Sequence, residues 1–381
     1  MNGLRNLTDK IKPTFSKGGK LSWLGSTFEA FESFLFVPNT VSKKGAHVHD
    51  SVDLKRVITV ALVALLPSVL FGMYNIGYQH NVAVGGNMGF WPIVGYGFLR
   101  ILPLYLVTYI VGLAIEFGSA QINGHEVNEG FLFTGLIIPL IVPVSIPLWM
   151  LAVAVAFAVI IGKEVFGGTG MNIWNPALLA RAFLFFSYPN QMSGDGIWFS
   201  LRKGETIVDG VSAATPLAQM SGGVENIQYS VADMFFGFIP GSVGETSKLC
   251  ILIGALILIY TGVGSWKIML SSVVGGLFVG WLANVCGATD VPAYYHLLMG
   301  GFLFGSVFMA TDPVTAAQTE CGKWIYGFLI GVLAVVIRLF NPGYPEGMML
   351  AILLMNTFAP LIDHLVVSRN IKKRLSRAKT V

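Results

Sequence analysis

The residues best suited to hold a ligand lie in a short polar stretch, DGVSAATPLAQM, within a chain that is otherwise apolar. Asp209 and Ser212 offer polar contacts, and the small residues at 213 and 214 leave space beside the hydroxyl of Thr215. The stretch can therefore fold closely around a ligand. On spacing alone, an ordinary polar loop rich in Ser and Thr is the simpler interpretation.

A second polar stretch, KEVFGGTGMNIWNPALLAR, begins at Lys163 and contains a glycine-rich turn followed by two asparagines. The turn has three glycines, Gly167, Gly168 and Gly170. Glycines free the backbone N–H groups of a turn, and Pro176 suits the first turn of a helix. The amides of Asn172 and Asn175 can pair with a ring edge that both donates and accepts, such as a flavin or a nucleobase. A helix cap between two spans is an equally good interpretation.

Several acids fall inside or beside apolar segments. In TDPVTAAQTE, Asp312 precedes Pro313 and predicts a helix cap, and Thr315 adds a hydroxyl; both face a ligand only if the chain contains a repeat. Glu116 and Asp363 lie within apolar runs, where an acid is costly and is usually functional. We therefore interpret Glu116 and Asp363 as candidates for cation coupling.

The sequence predicts no metal site. His125, Glu126 and Glu129 have the spacing H-E-x-x-x-E, which lacks the second histidine of the HExxH pattern, and the HVHD run at 47–50 is similarly weak. The cysteines are far apart and form no CxxC pair: Cys250, Cys286 and Cys321. A Rossmann GxGxxG pattern is also absent, so we expect no dinucleotide site.

Composition indicates that these residues are positioned by membrane helices. Apolar residues make up 54% of the chain and charged residues 12%, and the mean hydropathy is +0.69. We predict an all-α polytopic membrane protein with about ten transmembrane helices. The candidate spans are 57–78, 98–118, 130–146, 148–164, 176–189, 248–263, 266–286, 295–311, 324–340 and 346–367.

The basic residues predict the orientation of these spans. Nine of the 24 Lys and Arg residues lie in 1–56 and six lie after Ser368, so both termini are expected in the cytoplasm. Loop 190–247 then faces outward with Thr215, and the two asparagines face inward. The domains expected are the segment 1–56, a first membrane repeat 57–189, the external loop 190–247, a second repeat 248–367 and the tail 368–381.

Two stretches indicate an internal repeat. GFLFTGLIIPLIVPVS begins at Gly130 and GFLFGSVFMATDPVT begins at Gly301, an offset of 171 residues. The same offset relates Asn175 to Glu346, although that match is weak. Two halves of five spans each require the second half to be inverted, and such repeats usually enclose a site lined by broken helices.

The stretch around Thr215 resembles a flavin-attachment motif. The motif, D-G-x-S-G-A-T, belongs to the B subunit of the Na⁺-translocating NADH:quinone reductase and to the related D subunit of Rnf-type complexes. Ala213 stands where the family usually has Gly. Other stretches resemble the family in the same order along the chain: KKGAHVHDSVDLKRV, GHEVNEGF, KEVFGGTGMNIWNPALLARAFLFF, FMATDPVT and YPEGMMLAILLMN. The long basic N-terminal stretch is more similar to the quinone reductase protein than to its Rnf relative.

The resemblance implies a redox function. Thr215 would carry FMN through a phosphoester, and the turn with Asn172 and Asn175 would hold non-covalent riboflavin. Electrons would enter from the C subunit and reach ubiquinone or menaquinone, coupled to Na⁺ export, in a complex with subunits A, C, D, E and F of a bacterial inner membrane. The alternatives are the D subunit of an Rnf-type complex and a channel or transporter of a small solute.

Overall fold

The structure, a computed structural model, describes residues 2–15, 54–123, 130–192, 214–220, 223–341 and 346–378, with isolated positions in 19–45 and 198–208. Several residues singled out by the sequence lie outside this described part of the chain. They are Asp209, Ser212 and Ala213 of the motif, His125, Glu126 and Glu129 of the acidic loop, and the HVHD run.

The described residues fold into helices joined by turns, with no β-strand among them. The longer helices are α1 (Asn2–Phe15), α2 (Leu54–Val84), α3 (Phe90–Asn123), α4 (Gly130–Ile141), α5 (Leu148–Gly162), α6 (Pro176–Ser187), α7 (Lys248–Tyr260), α8 (Trp266–Val285), α9 (Glu320–Phe340) and α10 (Met348–Ala378). Short helical segments are Glu164–Phe166, Pro189–Met192, Pro216–Gln219, Val224–Asn226, Val231–Phe236, Tyr295–Leu298, Phe302–Phe304 and Gly305–Met309.

The predicted all-helical, polytopic membrane architecture is confirmed. Six helices in the described part of the chain are long and apolar enough to cross a membrane, namely α2, α3, α5, α8, α9 and α10. Three shorter apolar helices, α4, α6 and α7, lie among them. Several helices extend beyond the predicted boundaries: α3, for example, was expected at 98–118 and runs from Phe90 to Asn123.

The prediction of one continuous span at 295–311 is wrong. This segment consists of Tyr295–Leu298, Phe302–Phe304 and the π-helix Gly305–Met309, with an interruption at Gly300, whose φ is +59°. Arg338 donates to the carbonyl of Met299 at 3.1 Å, and Lys248 donates to the carbonyl of Gly300 at 2.9 Å. The break persists in an apolar bundle because these two cations satisfy the carbonyls that it exposes.

The packing of the helices is compatible with the predicted internal repeat. In the first half α3 packs against α5 and α5 against α6, and in the second half α8 packs against α9 and α9 against α10. The GFLF stretches make equivalent contacts, because Phe131 packs against Gly112 of α3 and Phe302 packs against Gly276 of α8. Both glycines leave room for a buried ring, since a methyl group at either position would overlap it.

Equivalent helices of the two halves run in opposite directions. Trp174, before α6, donates to Thr357 of α10 at 2.9 Å, whereas Arg181, farther along α6, contacts Glu346, which precedes α10. The first helices of the two halves, α2 and α7, are also antiparallel. Gly254 of α7 lies against the carbonyl of Ala64 in α2, and Val243, before α7, lies against Gly72, farther along α2. These antiparallel pairs are the arrangement expected of an inverted repeat.

Helices α8 and α9 run parallel. Trp266 packs against Trp324 at a ring distance of 5.7 Å, and Gly331, farther along α9, lies against the carbonyl of Ser272, farther along α8. The chain between α8 and α9 therefore returns from one end of the bundle to the other. The broken segment at 295–311 makes this return.

Candidate functional site

A large cavity opens between the two halves of the bundle, with a volume of about 910 Å³ counting its open mouth. Apolar side chains from α2, α4 and α7 form much of its wall, including Ile58, Phe133 and Leu258. Polar groups line it mainly through two stretches, around Asn175 in the first half and Asp312 in the second. Apolar walls with a few polar groups suit a planar aromatic ligand.

Asn175 and Asp312 join the two halves at this cavity. The side chain of Asn175 caps α6 by accepting from the N–H of Ala177 at 3.0 Å, and its Nδ2 donates to Asp312 Oδ2 at 3.2 Å. Asp312 also accepts from the N–H of Val314 at 3.1 Å and from the hydroxyl of Thr315 at 3.2 Å. Burial raises the pKa of the Asp312 carboxyl, and these hydrogen bonds oppose that rise.

The turn predicted at Asp312 is therefore confirmed, and so is the cap at Asn175. The helix cap predicted at Asp312 is wrong, because no helix begins there and the next helix, α9, is capped by Thr319. The Thr315 hydroxyl donates a hydrogen bond to Asp312, and Thr315 does not itself line the cavity. The sequence placed Asn175 in one motif and Asp312 with Thr315 in another, and the structure brings the two motifs together.

Only part of the glycine-rich turn lines the cavity. Asn172 and Thr169 line the cavity, whereas the three glycines of the turn do not. The expectation that the turn offers free N–H groups is wrong for Gly167 and Gly168, which donate to the carbonyls of Glu164 and Lys163. All three glycines have φ between +93° and +112°, so they allow the sharp reversal that follows α5.

A buried ion pair forms one side of this cavity. Lys163 lines the cavity and contacts the carboxylate of Glu116, and both side chains are about 5% exposed. The neighbouring Glu164 accepts from Ser119 of α3 at 2.6 Å. Glu116 is thus already paired with a protein cation, a partner that the sequence analysis did not identify.

Asp363 also has partners within the protein. It accepts from the N–H of Gln318 at 2.7 Å, from the N–H of Thr319 at 2.9 Å and from the Thr319 hydroxyl at 2.5 Å. These bonds attach α10 to the turn that starts α9. Asp363 and Glu116 do not share a direct contact in the described part of the chain.

Thr215 lines a second, smaller cavity of about 350 Å³, counting its open mouth. Its hydroxyl caps the short helix Pro216–Gln219 by accepting from the N–H of Ala218 at 3.2 Å, and the residue is half-buried. Lys248, Glu245 and Glu346 line the same cavity. The Thr215 hydroxyl therefore borders a cavity lined by charged groups.

The two cavities lie toward opposite ends of α7. Lys248 at the start of α7 lines the cavity of Thr215, and Leu258, ten residues later, lines the cavity of Asn175. Ten helical residues correspond to a rise of about 15 Å. Thr215 and Asn175 are therefore separated along the helix axes.

A buried charge cluster borders the cavity of Thr215. Its members are Arg181, Glu245, Lys248, Arg338 and Glu346. Arg181 of α6 donates to Glu245 at 2.6 Å and contacts Glu346, and Arg338 donates to the Glu346 carbonyl at 3.4 Å. The acids within apolar runs do not point to this cluster, so the sequence did not predict it. Arg181 in ALLARAFLFF and Arg338 in VVIRLF carried the same signal.

Comparison with known proteins gives consistent results over nearly the whole chain. A sequence model described as the NQR2, RnfD, RnfE family matches residues 41–372. Three similar proteins, each named as the B subunit of Na(+)-translocating NADH-quinone reductase, come from Pseudomonas paraeruginosa (46% identity), Chromohalobacter salexigens (46%) and Ectopseudomonas mendocina (47%). Each alignment covers 98% of this chain and 97% to 99% of the relative.

The Glu116 and Lys163 pair makes a testable prediction about stability. Glu116→Gln or Lys163→Met alone leaves a buried charge without its partner, at a cost of about 3–5 kcal/mol. The double variant removes both charges and should regain much of that loss. Thermal unfolding of the purified protein in detergent measures the coupling. Additive losses from the two substitutions would show that the side chains do not interact.

Proposed function

Because the chain belongs to the NQR2, RnfD, RnfE family, we propose that it is the B subunit, which transfers electrons within the membrane, of a Na⁺-translocating NADH:quinone reductase. In this proposal Thr215 carries FMN as a phosphoester, the cavity between the halves holds riboflavin, and quinone accepts the electrons. The similarity to proteins of that name over 98% of the chain is the observation that carries the proposal. Flavins, when bound, supply one- and two-electron chemistry.

The cavity between the halves fits the ring of a flavin. Its apolar walls, which include Phe133 and Phe308, suit the faces of a flat ring. At its polar side Asn172 donates to the carbonyl of Trp174 at 3.0 Å, and its Oδ1 accepts no hydrogen bond from another described residue. Asn175 uses one amide hydrogen on Asp312 and keeps a second. These amides offer an acceptor and a donor to the polar edge of a flavin.

The cavity beside Thr215 fits the attachment of a phosphate. The side chain is half-buried, so its hydroxyl borders both the cavity and the surface. Its role as a helix cap fixes the position of the oxygen, and an esterified oxygen still has a lone pair for the N–H of Ala218. Asp209 and Ser212 of the same motif are proposed to contact the attached flavin.

The separation of the two cavities supports electron transfer across the bilayer. Both termini are proposed to lie in the cytoplasm of a bacterial cell, which puts the Asn175 cavity toward the cytoplasm and Thr215 toward the outer face. Electrons would enter at Thr215 from the C subunit and leave to ubiquinone or menaquinone near the inner face. The A, D, E and F subunits would complete the assembly and supply NADH oxidation.

Two other functions make different predictions. The D subunit of an Rnf-type complex would carry the same flavin, but its activity would depend on ferredoxin and not on quinone. A small-solute transporter would use the cavity between the halves as its path and would carry no covalent flavin. The names of the similar proteins and the long basic N-terminal segment favour the quinone reductase.

The covalent flavin is tested at Thr215. We expect the wild-type band to fluoresce under ultraviolet light after denaturing electrophoresis and the Thr215→Ala band to be dark. Thr215→Asn is the matched control for folding, because asparagine caps helices well and has no hydroxyl to esterify. It should fold normally and also be dark. A dark wild-type band, or a fluorescent Thr215→Asn band, would contradict the proposal.

The second flavin is tested at Asn172. Replacement by leucine removes the amide without removing the helix cap that Asn175 provides. We expect at least tenfold weaker retention of the flavin released on denaturation, a loss of about 1.4 kcal/mol, while the covalent flavin on Thr215 remains. Chromatography of the released flavin measures the effect. Unchanged release from Asn172→Leu would remove this residue from the site.

Cation coupling is tested at Glu116 and Asp363. We propose that Na⁺ transfer depends on these two carboxylates, so Glu116→Gln and Asp363→Asn should shift the Na⁺ dependence of quinone reduction more than the flavin content. Glu164→Gln is the matched control, since Glu164 is half-buried beside the same ion pair. If Na⁺ stimulation is unchanged in Glu116→Gln, Glu116 has no role in cation coupling.

A further inference from the structure

The cavity beside Thr215 is bordered by hydrogen-bond donors that lack acceptors. Ser242 and Thr246 are 3% and 2% exposed, and neither hydroxyl has a hydrogen-bond partner among the described residues. Both residues line the cavity. A buried hydroxyl without a partner costs free energy, so two of them at one cavity indicate a ligand that accepts hydrogen bonds.

Lys248 adds a positive charge to the same cavity. Its fully buried ammonium donates to the carbonyls of Glu245 at 2.5 Å and of Gly300 at 2.9 Å. An ammonium has three hydrogens, and the third has no acceptor in the described part of the chain. Lys248 is also the first residue of α7, where the helix dipole favours an anion.

The two carboxylates that line this cavity, Glu245 and Glu346, are both engaged by Arg181. Lys248 instead donates to backbone carbonyls and makes no ion pair with a carboxylate in the described part of the chain. A buried ammonium without a carboxylate partner favours an anionic ligand beside it.

We propose that Ser242, Thr246 and Lys248 form an oxyanion subsite for the phosphodiester that joins FMN to Thr215. The proposal rests on the function proposed above. A phosphodiester carries one negative charge and two free oxygens, which suits the Lys248 ammonium and the two unused hydroxyl donors. The linkage is already formed when it binds, so no bond is made or broken at the subsite.

The contacts around Gly300 connect the subsite to Thr215. Leu217, two residues after Thr215, packs against Gly300, where a side chain would overlap it. Gly300 is in turn held by Lys248 through its carbonyl. The position of Lys248 and that of the segment bearing Thr215 are therefore set by the same residue.

The test is a thermodynamic cycle between the attached flavin and the two hydroxyls. Ser242→Ala/Thr246→Val is made in the wild-type chain and in Thr215→Asn, which keeps the helix cap and cannot be esterified. The apparent unfolding temperature of the purified complex is measured at one scan rate. We expect flavin attachment to raise this temperature in the wild type and the double variant to lose most of that rise.

Measurements in Thr215→Asn, which carries no attached flavin, separate an effect of the two hydroxyls on the flavin linkage from their effect on folding. Because the two hydroxyls have no protein partners among the described residues, their removal there should leave the unfolding temperature unchanged or slightly raised. Ser68→Ala/Thr108→Val is the matched control, since both side chains are buried hydroxyls without described partners, in α2 and α3. This control should keep the full rise on flavin attachment.

Each outcome decides the assignment. A rise retained by Ser242→Ala/Thr246→Val would overturn the subsite and leave covalent attachment intact. An intact mass without one esterified FMN in the wild type would overturn the proposed function and, with it, the subsite. If inorganic phosphate stabilises Thr215→Asn, and does so only when both hydroxyls are present, the source is free phosphate and the assignment to the linkage is overturned.

Discussion

The arrangement of both sites depends on one constraint: a charge inside an apolar helix bundle needs a partner of opposite charge. Lys163 and Glu116 meet this requirement near the ends of α5 and α3, and Arg181 with two carboxylates meets it in the middle of α6. Two further cations, Lys248 and Arg338, hold the carbonyls exposed by the broken segment at 295–311. The same buried charges therefore pair with one another, stabilise the broken segment and line the cavities.

The antiparallel packing of α6 and α10 accounts for two sites and not one. Asn175 and Glu346 lie at equivalent positions, each close to the start of the fifth helix of its half. Asn175 reaches across to Asp312 of the second half, and Glu346 reaches across to Arg181 of the first. Because α6 and α10 are antiparallel, these equivalent contacts fall toward opposite ends of the bundle. One position contributes an amide to a largely apolar cavity, whereas its counterpart contributes a carboxylate to a charged cluster.

The sequence predicted the helical membrane fold, the cap at Asn175 and the turn at Asp312, because hydropathy and local capping patterns are properties of the chain itself. It did not predict the break at 295–311, since the glycines there resemble the helix-packing glycines elsewhere and the stabilising cations come from α7 and α9. It also missed the partner of Glu116 and the unpartnered hydroxyls of Ser242 and Thr246, since tertiary contacts decide both. The two cavities require the packed structure for the same reason.

The central claim is that the Thr215 and Asn175 cavities face opposite sides of the membrane, and two native thiols test it directly. Cys286 ends α8, and Cys321 lies in the first turn of α9, which is parallel to α8; both are exposed. After Cys250→Ser removes the third thiol, a membrane-impermeant maleimide should label Cys286 in right-side-out vesicles and Cys321 in inverted vesicles. Labelling of both thiols from the same side would contradict the account.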